Sequence, residues 1–285
     1  MRQMPTDEEL LASYDLPEYY THGKSHFPLL APGIADRVLI KLAYLRDQGQ
    51  LMNAQRLLAR HPDATSILDI GCGCGDFLAG FSGGERTLVG VDPDPLARQE
   101  AALKGLQVLA GTAEDLPADV QNRQFDMVIL SHVLEHCRDP KAALRNVRSL
   151  LGPSGLFYCE VPNCGSIYFQ THAAISEMLD VPRHLHFFTK DSLARLCAQT
   201  GLDVIGWNYH GYTRHFGGNW RAWENQIHDM LTERGAAGRR PRRTWSNSLR
   251  LLAQSTFAPP ERKYDCIGFF ARAVPLDAEG APAGR

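Results

Sequence analysis

Three glycines at alternate positions, Gly71, Gly73 and Gly75, follow a short apolar run, with Asp69 just before them and Asp76 just after. Residues without a Cβ let the backbone take positive φ angles and let a ligand approach the main chain closely. The turn also holds Cys72 and Cys74, but no second cysteine pair lies at zinc-finger spacing, so the pair reads as two thiols. About 20 residues beyond the turn a second apolar run ends in Asp92, where a carboxylate can accept hydrogen bonds from both hydroxyls of a ribose. The alternative reading of Asp92 is a cap on the helix that follows Pro93. Glycine turns of this kind also serve dinucleotide folds, yet the position of the third dinucleotide glycine is Asp76 here, and nothing is tuned for a pyrophosphate.

Histidines make the second chemical signal. His132 and His136 fall within Ser131-His132-Val133-Leu134-Glu135-His136, and His184 and His186 within Pro182-Arg183-His184-Leu185-His186-Phe187-Phe188-Thr189. Imidazole is the side chain best matched to proton transfer near neutral pH. Any of the four can instead be a core or helix-entry histidine. Two imidazoles with Glu135 could bind a divalent ion, but their spacing lets only some of them converge, and no metal is assigned. The basic run Arg239-Arg240-Pro241-Arg242-Arg243 reads as a solvated turn, with a phosphate or carboxylate site as the alternative. Tyr14, Tyr19, Tyr20, Tyr168, Trp207, Tyr209, Tyr212, Trp220 and Trp223 could wall a pocket, although packing is the commoner use of each.

The elements that must position these groups alternate in type. Short apolar runs at 67–70, 87–91, 106–109, 125–130 and 156–161 read as buried strands, with helical windows at 76–81, 95–104 and 140–151 between them. A helix at 190–200 stopped by Gly201, a strand at 203–209 and a last strand at 264–273 complete the pattern. Alternation of this kind marks a doubly wound parallel sheet. Residues 6–60 are mostly helical, with Val38, Leu39, Leu42 and Leu45 in period and a loop or lid at 17–32. The stretch 211–260 is too long for a hairpin connection and carries helical windows at 220–234 and 244–255, so it reads as a substrate cover or an oligomer contact. The expected division is an N-terminal helical cap at 1–62, a main domain at 63–274 with the insertion 211–260, and a disordered tail at 275–285.

The bulk numbers narrow the class further. A chain of 285 residues with 44% hydrophobic content can fill one large core, and a net charge of -2 gives no overall attraction to nucleic acid or anionic membrane. No signal peptide and no apolar stretch of transmembrane length is present, so a cytoplasmic monomer or homodimer is expected. The seven cysteines are an odd number and read as reduced.

Taken in order, LDIGCGCGDF, GVDPDP, GTAEDLP, FDMVILSHVLEH and LGPSGLFYCEVPN resemble the motifs of class I S-adenosylmethionine-dependent methyltransferases over about residues 64–210. The nearest flavour is the broad group that includes ubiquinone-biosynthesis O-methyltransferases. The resemblance implies an α/β fold, a doubly wound seven-stranded mostly parallel sheet of Rossmann-like type, with an N-terminal helical extension and a helical insertion before the last strand. It implies S-adenosyl-L-methionine as cofactor, with Asp69 and the turn Gly71, Cys72, Gly73 and Gly75 around the methionine moiety and Asp92 on the ribose. Thr112 and Ala113 stand where the family usually has Asp-Ala against adenine, with Pro93 and Leu116 as apolar walls. Ser131 and His132 would line the edge near the sulfonium, and His184, His186, His132 and His136 are the candidate catalytic residues.

The acceptor implied is a small molecule, most simply a hydroxyl on a sugar, a glycolipid intermediate or a natural product. N-methylation is the close competitor. A nicotinamide-binding oxidoreductase and a catalytically silent partner protein are the rivals from other classes. Nucleic-acid methylation lacks its Asn-Pro-Pro-Tyr type element after the fourth strand.

Overall fold

The computed structural model describes residues 4–6, 8–10, 33–44, 49–211, 216–234 and 242–274. Five strands, β1 (Ser66–Ile70), β2 (Thr87–Val91), β3 (Gln107–Leu109), β4 (Phe125–Ser131) and β5 (Leu151–Pro162), run parallel. The last strand β7 (Cys266–Ala273) runs antiparallel between β5 and the edge strand β6 (Leu202–His210), giving the order β3-β2-β1-β4-β5-β7-β6. The expected seven-stranded, mostly parallel sheet is what forms. Strand order reverses between β1 and its neighbours β2 and β4, and such a switch point opens a crevice at the carboxyl ends of the strands.

Alternation along the strands divides the apolar residues between two faces. Leu68, Ile70, Val89, Val91, Val128 and Leu130 face one core, while Ile67, Met127 and Ile129 face the other. The first core is covered by α6 (Pro140–Leu150), through Ala143, Leu144 and Val147, and by α8 (Lys190–Gln199), through Leu193 and Cys197. The second is covered by α2 (Ala54–Leu58) and by Leu78 of α3 (Asp76–Ala79). Helix α4 (Pro95–Leu103) starts at the N-cap Asp94, whose side chain accepts from the N–H of Leu96. That assignment removes the capping role from Asp92. Thr189 and Ser192 form the full capping box that opens α8.

Boundaries differ from the sequence reading where glycine or pairing intervenes. Helix α3 ends at Ala79 and not near residue 81, because Gly80 closes it. Strand β5 begins at Leu151, five residues before the apolar run, because Leu151 pairs with Phe125 across a bulge. Two short helices, α5 (Ala118–Gln121) and α7 (Ile167–His172), have no periodic signal long enough to announce them.

A third apolar cluster forms besides the two sheet cores. It joins Leu39 and Ala43 of α1 (Ile34–Tyr44), Tyr168 of α7, Phe216, Leu251 of α10 (Trp245–Ser255) and Tyr264. Helix α9 (Gly218–Glu233) adds Trp220 and Glu224 to the same region, and the short α11 (Pro260–Lys263) leads into β7. The apolar period of α1 misled in one respect: Asp36, Leu39 and Ala43 turn inward, while Val38 and Leu42 are exposed. Leu45, the loop at 17–32, Tyr212 and the tail at 275–285 lie outside the described residues. Among the described residues no helix is long and apolar enough to cross a membrane.

Candidate active site

The glycine turn leaves β1 and folds back on the end of β2. Gly71 donates its N–H to the carbonyl of Val91 at 2.7 Å, and Gly73 donates to Oδ2 of Asp92 at 2.8 Å. The other Asp92 oxygen accepts from the N–H of Asp94 at 2.9 Å, so the carboxylate is held from both ends and keeps spare lone pairs for further donors. Gly71 has φ 74°, and a Cβ there would collide with the side chain of Val133. Gly73 has φ 52° and nothing within 4 Å of where its Cβ would be, which leaves an open cradle above the main chain. Gly75 N-caps α3 in the left-handed conformation.

Asp69 sits beneath that cradle, buried in the middle of the sheet. Burial, with the charge of Asp92 adding to it, pushes its pKa up to about 8. Burial also raises the pKa of Asp92, against the hydrogen bonds from Asp94 and Gly73. Two acids strained upward in one crevice form a site that a cationic group would relieve. The sulfonium, the ammonium and the ribose hydroxyls of S-adenosylmethionine supply those charges and donors, and the open backbone at Gly73 admits them, so the residues present fit that cofactor. Cys72 packs its sulfur over Gly90 of β2, and burial followed by the charges of Asp69 and Asp92 raises its pKa, which keeps it a thiol.

The loop after β3 carries the remaining cofactor candidates. Thr112 uses its hydroxyl as an acceptor for the N–H of Asp115 at 3.0 Å, in a turn that its own N–H closes on the Asp115 carbonyl. Asn146 of α6 donates to the carbonyls of Ala113 at 2.9 Å and Glu114 at 3.0 Å and pins the loop. Ala113 and Leu116 are buried in the first core, while Pro93 is exposed at the mouth of the crevice.

At the end of β4 the chain turns sharply after Ser131. His132 adopts φ 56°, and its ring nitrogens each lie 3.3 Å from a carboxylate, Nδ1 from Glu135 and Nε2 from Glu160. Burial opposes its charge, but contacts with Cys266, Glu135 and Glu160 outweigh it and raise the pKa well above the usual histidine range. His136 donates from Nδ1 to the carbonyl of Arg183 at 3.1 Å, and burial lowers its pKa, so the ring is neutral. His184 is likewise oriented, with Nδ1 2.9 Å from the carbonyl of Met178. A carbonyl can only accept, so Nδ1 of each ring carries a proton and the atom left to face other groups is Nε2. Nε2 of His184 faces Glu135 at 4.0 Å and Asp180 at 3.9 Å.

Sequence spacing therefore named four histidines, and the structure brings three of them together around Glu135. The Glu135 carbonyl accepts from the N–H groups of both Leu185 and His186, which locks the two histidine segments against each other. His186 itself stacks near Phe188 at 6.0 Å between ring centroids, in a packing position. Glu135, His136 and His184 each bring a donor atom within 4.8 Å of the others, a spacing that a divalent ion can bridge. Glu160 and His210 were missed. Their only sequence signal is their place at the ends of β5 and β6, which becomes meaningful once the strand order is known.

The basic run has a structural explanation where it is described. Arg243 is buried and donates to Glu224 at 2.6 Å, and Glu224 also receives the indole N–H of Trp220 at 2.9 Å and the hydroxyl of Tyr168. Arg242 pairs with Asp229 at 2.6 Å. Those two guanidinium groups are engaged within the protein, and the aromatic residues Tyr168 and Trp220 serve this buried network. All seven cysteines are free thiols.

Comparison with known proteins agrees with this geometry. A ubiquinone biosynthesis O-methyltransferase of Dinoroseobacter shibae is 32% identical over 179 residues, 58% of this chain and 71% of that protein. A SAM-dependent methyltransferase from Archaeoglobus fulgidus matches the fold with a TM-score of 0.53 at 19% identity, over 89% of this chain and 99% of that one. The 1,6-didemethyltoxoflavin-N1-methyltransferase of Burkholderia thailandensis, solved with S-adenosylhomocysteine, matches with a TM-score of 0.51 at 16% identity, over 95% and 92% of the two chains. The family described as methyltransferase domain matches residues 45–206. With its glycine turn, paired acids and strands β1 to β5 inside that match, the chain belongs to the methyltransferase domain family.

Proposed function

We propose that this protein transfers the methyl group of S-adenosylmethionine to an oxygen of a small hydroxylated molecule, of which sugars, glycolipid intermediates and phenolic natural products are the candidate classes. The observation that carries the oxygen reading is the orientation of His184, whose Nδ1 is committed to the Met178 carbonyl and whose basic Nε2 stands next to Glu135. The relative from Dinoroseobacter shibae is named as an O-methyltransferase, which supports the same choice.

The bound cofactor supplies an activated methyl group. The protein supplies placement and proton management. Asp69 balances the ammonium end, Asp92 accepts from the ribose hydroxyls, and the N–H groups of the glycine turn hold the main-chain edge of the cradle. Ala113 and Leu116 give the base its apolar floor, with Pro93 at the mouth. Most of the rate in a displacement at carbon comes from holding the acceptor aligned and out of water. A hydroxyl still gains from losing its proton, and His184 takes it at Nε2 while Glu135 offsets the charge that the ring acquires. The cap helices α1, α9 and α10 are the elements placed to select the acceptor.

Purified protein incubated with S-adenosylmethionine and separate panels of catechols, sugars and amines, with products read by mass spectrometry, tests the reading. O-methylated product is the expected result, and exclusive N-methylation overturns it. His184→Gln should lower kcat on the accepted substrate by roughly 10²–10⁴-fold with cofactor affinity retained.

A further inference from the structure

Asp92 is held at each of its polar groups. Its N–H donates to the carbonyl of Leu109 on β3 at 3.0 Å, its carboxylate accepts from Gly73 and Asp94, and its carbonyl accepts from Nη1 of Arg98 at 2.9 Å. The same Nη1 donates to the carbonyl of Pro93 at 2.7 Å, so both of its hydrogens go to successive carbonyls of the loop that joins β2 to α4. None of the roles above uses Arg98.

Arg98 stands where a helix does not favour a cation. It is the fourth residue of α4, near the positive end of the helix dipole, where an acidic side chain would be the favourable choice. The two loop carbonyls account for it there. Pro93 brings no N–H of its own, so its carbonyl is the one main-chain polar group by which that residue can be tied down.

The grip on Pro93 reaches the carboxylate. The Pro93 carbonyl and the Asp94 N–H belong to one planar peptide unit, so holding the oxygen on one edge sets where the N–H on the other edge points. That N–H is the donor 2.9 Å from Oδ1 of Asp92.

We propose that Arg98 is a positioning residue of the cofactor site, one that fixes the Pro93–Asp94 peptide and through its N–H aims the Asp92 carboxylate at the ribose. The inference rests on the reading of Asp92 as ribose acceptor and does not involve the methyl acceptor. Charge acts in the same sense: burial raises the pKa of Asp92, the bonds from Asp94 and Gly73 oppose this, and the nearby guanidinium adds to the opposition.

The test is calorimetry of S-adenosylhomocysteine on the full chain and on Asp92→Asn, Arg98→Met, Arg98→Lys and the Asp92→Asn/Arg98→Met double variant. Arg98→Met, which keeps an apolar stem and loses the donors, should weaken binding by about tenfold in a protein that melts cooperatively. Arg98→Lys keeps a charged donor and should recover most of that loss. In the Asp92→Asn background, Arg98→Met should change Kd by less than about twofold, because the carboxylate through which it acts is already gone. Losses that multiply in the double variant overturn the proposal, since a role in helix stability alone would produce them. Joint loss of binding and cooperative melting in Arg98→Met overturns it as well. Unchanged affinity in Arg98→Met beside a weakened Asp92→Asn counts against Arg98 alone. Unchanged affinity in Asp92→Asn counts against the ribose reading itself, and the proposal falls with it.

Discussion

Gly73 and Asp92 lie 19 residues apart in sequence and are joined by a 2.8 Å hydrogen bond between the end of one strand and the end of the next. That bond turns two separate motifs into one crevice. Asp92→Ala removes it together with the carboxylate proposed as the ribose acceptor. A hydrogen bond to a charged group contributes roughly 1.5–3 kcal/mol, so S-adenosylhomocysteine should bind roughly 10- to 150-fold more weakly by calorimetry. Equal affinity in the variant would show that this carboxylate is not the ribose acceptor.

Asp69 makes stability depend on pH in an unusual direction for a carboxylate. Its pKa in the folded chain, about 8, lies above the ordinary aspartate value of 3.8, so the folded state holds a proton that the unfolded state releases between those values. The associated stability is complete below the lower value and is lost as pH rises through the upper one. Thermal melts of the cofactor-free protein should fall over that window, and Asp69→Asn should flatten the fall. Saturating S-adenosylhomocysteine should raise Tm more at the alkaline end, where the ionised acid meets the ligand ammonium. A Tm that climbs steadily with pH would contradict this account of Asp69.

The buried pair Glu224 and Arg243 should matter far more than the neighbouring exposed one. Both side chains are almost wholly buried, at 1% and 0% exposure, and Glu224→Ala strands a guanidinium in the protein interior. Breaking such a pair costs about 3–5 kcal/mol, against roughly 0–1 kcal/mol for the exposed Arg242 and Asp229 pair. Chemical denaturation of Glu224→Ala and Arg242→Ala distinguishes them, and similar midpoints would be the unexpected outcome.

Gly71 cannot carry a side chain. Its φ is 74°, and an added Cβ meets Val133. Gly71→Ala therefore combines about 1–2 kcal/mol of backbone strain with about 1–3 kcal/mol of overpacking, enough to lower Tm by several degrees and weaken S-adenosylhomocysteine binding. A variant with unchanged melting and affinity would mean that the turn rearranges freely.

What the sequence made legible follows how local each signal is. The alternation of buried strands and helices, the glycine turn and Asp92 are read from contiguous residues, and all of them appear at the crevice. The histidine cluster was half legible: spacing named His132, His136 and His184, but only the fold of the 184–186 segment onto the Glu135 carbonyl places them around one carboxylate. Glu160 and His210 escaped because their partnership crosses β4, β5 and β6, and no local period encodes the insertion of β7 between the last two. Arg243 escaped for the opposite reason. Its neighbours in sequence are arginines typical of surface turns, while its partner Glu224 lies one helix earlier, on a face that periodicity alone does not reveal. The inward aspartate of α1 is a similar case, since Asp36 is paired with Arg221 of α9.

His210 and Cys266 are rungs of the same ladder, facing each other across β6 and β7. The described helices between them, α9, α10 and α11, belong to a connection that leaves the sheet at His210 and rejoins it at Cys266. Because the two ends of that connection are already paired, a change in its length leaves the register of β6 on β7, and with it the crevice at β1 and β2, where it was.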